Sequence, residues 1–257
     1  MPHLLFTLVL AFAMMTALWP LSIALKDVSI VDILWAPAFA ILGWALAYVE
    51  GGADMRGWVC LALVSLWAVR LGTHILMRRL KSGKEDHRYT SIRRKYGNRF
   101  PVLSLVVIFW LQAALLWLIS LPLQAAISAH TALTYADIIG FFVIFAGIVV
   151  EGVADAQLTA FRAKPGGADS VLDTGVWRWS RHPNYFGDFL IWWGFFLVAV
   201  AGGAPWWTVA GPIVMTALLM HYSGAGLMED TITKRRPAYQ AYIESTSRFF
   251  PRPPARK

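Results

Sequence analysis

Val102-Leu-Ser-Leu-Val-Val-Ile-Phe-Trp-Leu-Gln-Ala-Ala-Leu-Leu-Trp-Leu-Ile-Ser-Leu-Pro-Leu-Gln-Ala-Ala-Ile127 contains no charged residue. About 20 mostly apolar residues make a helix long enough to cross the hydrocarbon core of a bilayer. Only a helix satisfies the backbone of so long an uninterrupted run in lipid, because the strands of a barrel alternate and are about half as long. Working outward, comparable runs occupy 4–25, 30–49, 57–77, 135–157, 184–203 and 205–222. The expected fold is therefore all-α: a polytopic integral membrane protein with seven transmembrane helices. The first run lacks a Lys/Arg-rich start and a small-x-small cleavage site, so it reads as a span and not as a signal peptide.

Composition agrees. The 257 residues are 58% hydrophobic and only 15% charged, where a soluble chain carries about 25% charged residues. This excludes a disordered chain and a disulfide-stapled secreted domain, and the single cysteine, Cys60, provides neither a disulfide nor a thiolate metal site. The net charge is nevertheless +8. Of the 23 Lys and Arg, all but Arg56 and Arg70 fall before span two, after spans three and five, or in the tail. The positive-inside rule then puts the N-terminus outside and the C-terminus in the cytoplasm, which agrees with an odd number of spans. No internal repeat or linker is visible, so residues 1–257 read as one membrane-embedded domain.

Ionisable groups at membrane depth are costly and mark candidate sites. Asp32 opens span two, Arg70 and His74 lie one turn apart in span three, and Glu151 and Asp155 lie one turn apart in span five. Residues four apart share a helix face, so each pair projects into one space; the alternative is a structural ion pair between helices. The densest stretch is Trp177-Arg-Trp-Ser-Arg-His-Pro-Asn-Tyr-Phe-Gly-Asp188. Pro183 suits a first helical turn, Asn184 and Asp188 share a face, and Arg181 and His182 stand before a helix N-terminus that favours anions. The stretch reads as a cradle for an anionic ligand, with interfacial anchoring as the alternative. In the tail, Tyr239 and Tyr242 recur at helical spacing before Phe249-Phe250-Pro251, and this stripe needs a surface to lie on. Gly83-Lys-Glu-Asp-His-Arg-Tyr89 reads as a mixed-charge loop, weak by itself.

The six histidines show no paired ligand spacing, so no metal or haem site is expected. No Gly-x-Gly-x-x-Gly follows a strand, and Gly166-Gly167 is a turn and not a P-loop. A charged cofactor would have to be bound by the bundle itself, from the cytoplasmic side, with a lipophilic substrate entering from the bilayer. The basic surplus then points to an anionic cofactor, with no nucleic acid and no obligate protein partner.

The stretch Arg181-His-Pro-Asn-Tyr-Phe-Gly-Asp188 and the distal Arg236-Pro-Ala-Tyr…Tyr242…Ser-Arg-Phe-Phe-Pro251 resemble the C-terminal core shared by membrane steroid 5α-reductases, sterol reductases and isoprenylcysteine carboxyl methyltransferases, over about 140–254. Val31-Asp-Ile-Leu-Trp35, Trp67-Ala-Val-Arg-Leu71 and Gly83–Tyr89 are similar to the bacterial branch of the 5α-reductases. The resemblance implies an enzyme of the bacterial inner membrane that reduces the Δ4 double bond of a 3-oxosteroid or related enone with NADPH. It implies catalytic roles for Asp32 and for Trp67, which falls where the family has a Tyr; the two would hold the 3-oxo group, with Asp32 protonated. It further implies cofactor contacts from Arg70, Arg78, Arg79, Asp155, Arg162, Lys164, Arg181, His182, Asn184, Tyr185, Asp188 and Glu229. The rival enzyme reading is an S-adenosylmethionine-dependent carboxyl methyltransferase, which has less need of a basic cluster, and a third reading is a non-catalytic lipid-binding or transport protein.

Overall fold

The computed structural model describes residues 2–164, 166, 170–222 and 238–254. Among them all regular structure is helical: α1 (Pro2–Leu25), α2 (Ile30–Val49), α3 (Met55–Ser82), α4 (His87–Tyr96), α5 (Phe100–Ser104), α6 (Leu111–Ile119), α7 (Leu121–Ile127), α8 (Tyr135–Arg162), α9 (Pro183–Ala201), α10 (Ala210–Ala217) and α11 (Ala238–Ser245). A π-helical turn, Leu105–Trp110, joins α5 to α6, and a second, Leu218–Tyr222, follows α10.

Among the described residues six helical runs are long and apolar enough to cross a membrane: His3–Leu25, Ile30–Val49, Met55–Ser82, His87–Ile119, Tyr135–Arg162 and Pro183–Ala201. The seventh expected span, 205–222, holds among the described residues the shorter apolar helical run Trp206–His221, which at 1.5 Å per residue covers less than a core about 30 Å thick. Helix α3 runs past its apolar stretch because Arg79 and Lys81 suit the last turn, where the helix dipole favours cations; Gly83, at φ +62°, then ends it.

The chain divides into two compact units. Unit 1 is 1–133 with 199–208. Within it α2 and α3 pack antiparallel, and Gly72 admits the ring of Pro37: a Cβ there would lie 3.0 Å from Pro37 Cγ. Helix α1 is laced to 101–124 by indole N–H groups. Trp19 donates to Pro101 O at 2.9 Å, Trp110 to Thr16 Oγ1 at 3.1 Å and Trp117 to Leu4 O at 3.0 Å. Gln124, a buried polar residue of the charge-free run, is bonded to Thr7 and Ser120 at 2.7 Å each. Arg56 is fully buried and donates to Thr131 O, Thr131 Oγ1 and Ala132 O. It closes a turn and is unavailable to a ligand.

Unit 2 is 134–198 with 209–257, of which the described residues form α8, most of α9, α10 and α11. Thr134 and Asp137 form a capping box that starts α8. Helices α8 and α9 meet through glycines. A Cβ on Gly187 would lie 2.6 Å from Glu151 N, and one on Gly147 2.6 Å from Gly187 O. The two backbones are therefore in contact, and the face of α8 carrying Gly147, Glu151 and Asp155 is turned towards the start of α9.

Candidate functional site

In unit 1 the mixed-charge loop is an ordered clamp. Asp86 caps α4 by accepting from Arg88 N at 2.9 Å, its own N–H donates to Ser29 Oγ at 2.7 Å, and Glu85 accepts from Val28 N at 2.9 Å and from Arg93 at 2.7 Å. These bonds fasten α4 to the turn before α2 and bring two residues onto Asp32. Tyr89 Oη donates to Oδ1 and Arg88 Nη2 to Oδ2, both at 2.7 Å. Tyr89 is buried, whereas Arg88 is 42% exposed. Burial alone would raise the Asp86 pKa, but hydrogen bonds from the Arg88 guanidinium and amide, together with its charge, outweigh it and hold the carboxyl below its ordinary value.

Beside this pair opens a cleft of about 230 Å³, walled by Ser29, Asp32, Ile75, Arg78, Arg79 and Lys84 among others. Trp67 lies elsewhere: it is fully buried against Phe39, ring centroids 5.7 Å apart. Phe39 is seven positions beyond Asp32, about 10 Å along α2. Trp67 thus packs deeper along α2, and the aromatic side chain that bonds to Asp32 is Tyr89. Arg79 is bound to Asp27, with Nε at 2.7 Å from Oδ2, so an ion pair engages it in place of a phosphate. Arg78 is exposed on the cleft wall, and Arg70 and His74 lie half-buried one turn apart on α3.

In unit 2 Glu151 and Asp155 are both buried. Asn184 Nδ2 donates to Asp155 at 3.3 Å, and Asp188 accepts from Trp192 Nε1 at 3.1 Å. At the α8–α9 contact Asn184 therefore meets Asp155, and Asp188 stands one turn further along α9. Tyr185 stacks on His182, with centroids 5.4 Å apart and planes 7° from parallel. Arg162 is exposed in the last turn of α8, and Lys164 is exposed just beyond it. Arg181, expected on a phosphate, is buried and spans Ile243 O at 2.8 Å and Thr246 O at 3.0 Å, with its amide on Ser247 O. It fixes the tail. The tyrosine stripe does the same: Tyr242 Oη donates to Trp177 O, and Ser180 Oγ to Phe249 O at 2.8 Å. Glu229 lies outside the described residues, as does the Arg236-Pro237 part of the tail motif.

Sequence reading missed the partners of Asp32. The signal was present in Glu85-Asp-His-Arg-Tyr89, but the pairing spans 56 and 57 positions, and nothing local shows which acid an arginine meets. Among the described residues no group of three or more His, Cys, Asp or Glu could hold a metal ion.

Fold and clusters together define an all-helical protein with several membrane-length apolar helices that carry ionisable groups at their ends and along one helix–helix contact. The chain belongs to the DUF1295 family, described as "Protein of unknown function (DUF1295)", which it matches over residues 18–246; that family is related to steroid 5α-reductase-like proteins. A relative from Schizosaccharomyces pombe, "Uncharacterized protein C594.04c", is 27% identical over 275 aligned positions, covering 95% of this chain and 78% of the relative. No solved structure matches the chain.

Proposed function

We propose that this protein reduces the Δ4 double bond of a 3-oxosteroid, or of a related lipophilic enone, with NADPH at the cytoplasmic side of a bacterial inner membrane. The observation that carries this reading is the Asp32–Tyr89 pair, an acid on α2 joined at 2.7 Å to a buried phenol on a neighbouring element. An acid with a phenol is the combination that the resemblance to 5α-reductases implies, although here the phenol comes from α4 and not from the position of Trp67. Both Asp32 oxygens already accept, from Tyr89 and from Arg88, so the donor to the substrate carbonyl is the phenol and not a protonated Asp32. When the carbonyl arrives, the hydroxyl passes to it while Arg88 keeps Asp32 in place. A positioned donor in a dry site stabilises the negative charge that develops on the oxygen, and a proton delivered to C4 completes the reduction.

NADPH, when bound, supplies the hydride that enters at C5. The residues of unit 2 fit such a group: Asp155, Asn184 and Asp188 combine acceptors with an amide donor, as ribose hydroxyls and a carboxamide require. Arg162 and Lys164 are exposed cations for phosphates. The distribution of Lys and Arg supports a cytoplasmic C-terminus, and with Trp206–His221 as part of the last crossing the count is seven.

The test is to incubate purified protein with NADPH and progesterone or testosterone. Consumption of NADPH with a 5α-dihydro product is expected. Thermal stabilisation by S-adenosylmethionine but not by NADPH would replace this reading with the methyltransferase one.

A further inference from the structure

We propose that His3 and Glu50 form a site for a divalent metal ion of the zinc class, at the end of unit 1 away from Arg79 and Lys81. Glu50 caps the C-terminus of α2, and its side chain is only 7% exposed. One oxygen, Oε1, accepts from Ser128 Oγ at 2.6 Å and stands 3.6 Å from His3 Nδ1. The other, Oε2, is buried and has no hydrogen-bond partner among the described residues. A buried carboxylate oxygen without a donor is costly and calls for a positive guest. The carbonyls at the helix C-terminus make the field there negative and favour the same guest.

The donors identify the guest. A proton would answer Oε2 but makes no use of His3. Two ligands of one four-coordinate ion, each about 2.1 Å from it, stand about 3.4 Å apart, so the 3.6 Å between the imidazole and this carboxylate is already close to the spacing of a shared ion. Ser128 holds Oε1 and leaves Oε2 to the metal, the outer-shell hydrogen bond that orients ligating carboxylates. His3 is 46% exposed, so water can reach the ion and complete its shell. Imidazole with carboxylate suits zinc and its neighbours, whereas calcium and magnesium take oxygen ligands. A second pair, His130 Nδ1 at 3.3 Å from Asp54 Oδ2, has side chains 60% and 53% exposed; water serves those groups, and nothing there calls for an ion. The ligands at Glu50 come from two helices, α1 and α2, a pairing that histidine spacing along the chain does not reveal. The inference does not depend on enone reduction, because none of these residues takes part in the proposed chemistry.

The experiment takes the untagged full chain in detergent, strips it with chelator, and follows calorimetric binding and thermal unfolding with Zn²⁺, Co²⁺, Mg²⁺ and Ca²⁺. Zn²⁺ and Co²⁺ should bind and raise the unfolding midpoint by about 3 °C, and Mg²⁺ and Ca²⁺ should do neither. His3→Gln and Glu50→Gln should each weaken Zn²⁺ by more than about tenfold and Ser128→Ala by about tenfold, while His130→Gln should leave the affinity unchanged. His3 is half exposed and Gln keeps the shape of Glu, so the midpoints of the metal-free variants should match that of the unmodified protein. Zinc affinity retained in Glu50→Gln would overturn the proposal, because the imidazole alone would then hold the ion. An equal loss in His130→Gln would do the same in favour of diffuse surface binding, and an unmodified protein that binds no zinc would leave Oε2 to a proton or a water. Absence of steroid turnover would leave these readouts untouched.

Discussion

Replacing Tyr89 by Phe removes one oxygen and leaves the ring. That oxygen donates to Asp32 Oδ1 at 2.7 Å from a residue only 6% exposed. A hydrogen bond to a charged group contributes about 1.5–3 kcal/mol, and Asp32 keeps Arg88 on its other oxygen at 2.7 Å, so the stability loss should fall near the lower end. The catalytic loss should be larger. If the phenol is the donor at the substrate oxygen, its removal costs about 10²–10³ in kcat, or roughly 3–4 kcal/mol, and NADPH affinity should stay within about twofold because the proposed cofactor residues lie on α8 and α9. The assay is single-turnover reduction of a Δ4-3-oxosteroid at saturating NADPH, with thermal unfolding in detergent and cofactor binding measured on the same preparation. A kcat within about fivefold of the unmodified protein, alongside a lowered unfolding midpoint, would refute the reasoning and leave the Asp32–Tyr89 bond as a staple between α2 and α4.

Gly187→Ala should destabilise unit 2 by about 1–3 kcal/mol, because its Cβ would stand 2.6 Å from Glu151 N, where only backbone can yield; an unchanged unfolding midpoint would refute the close contact. Arg56→Met should orphan the Thr131 and Ala132 carbonyls at about 1–3 kcal/mol each, and hydrogen exchange should show lost protection around 129–134. For Asp86, whose folded pKa lies below its unfolded value, the stabilisation is present at neutral pH and is lost as the pH falls below about 4, through the folded value. Asp86→Asn keeps the helix cap and should flatten that acid dependence in a thermal-unfolding series, and an unaltered profile would contradict the assignment.

Much of the fold was legible because membrane-length apolar runs leave the backbone little choice. The run from Val102 to Ile127 could only be helix, and so it is, interrupted by a π turn and a break at Ser120. The last expected span, 205–222, is matched among the described residues by a shorter apolar helical run, Trp206–His221, because hydropathy measures how apolar a segment is and takes no account of how far one continuous helix reaches. At the site, i,i+4 spacing correctly put Glu151 with Asp155 and Asn184 with Asp188 on shared faces. It did not show that Arg181 would be spent on the carbonyls of the tail.

By itself the sequence determined that the chain is helical and membrane-embedded, which ends of its helices are basic, and which ionisable residues stand where burial makes them costly. These follow from composition and from the 3.6-residue period, which are local properties. Only the tertiary structure decided who meets whom: Tyr89 bonds to Asp32, Arg79 pairs with Asp27 and Arg181 with the carbonyls of the tail, and Asp155 meets Asn184. The physical reason is that a charge is satisfied by whatever comes within hydrogen-bond reach of it, and for Asp32, Arg79, Arg181 and Asp155 the partners named above are 29 to 65 positions away.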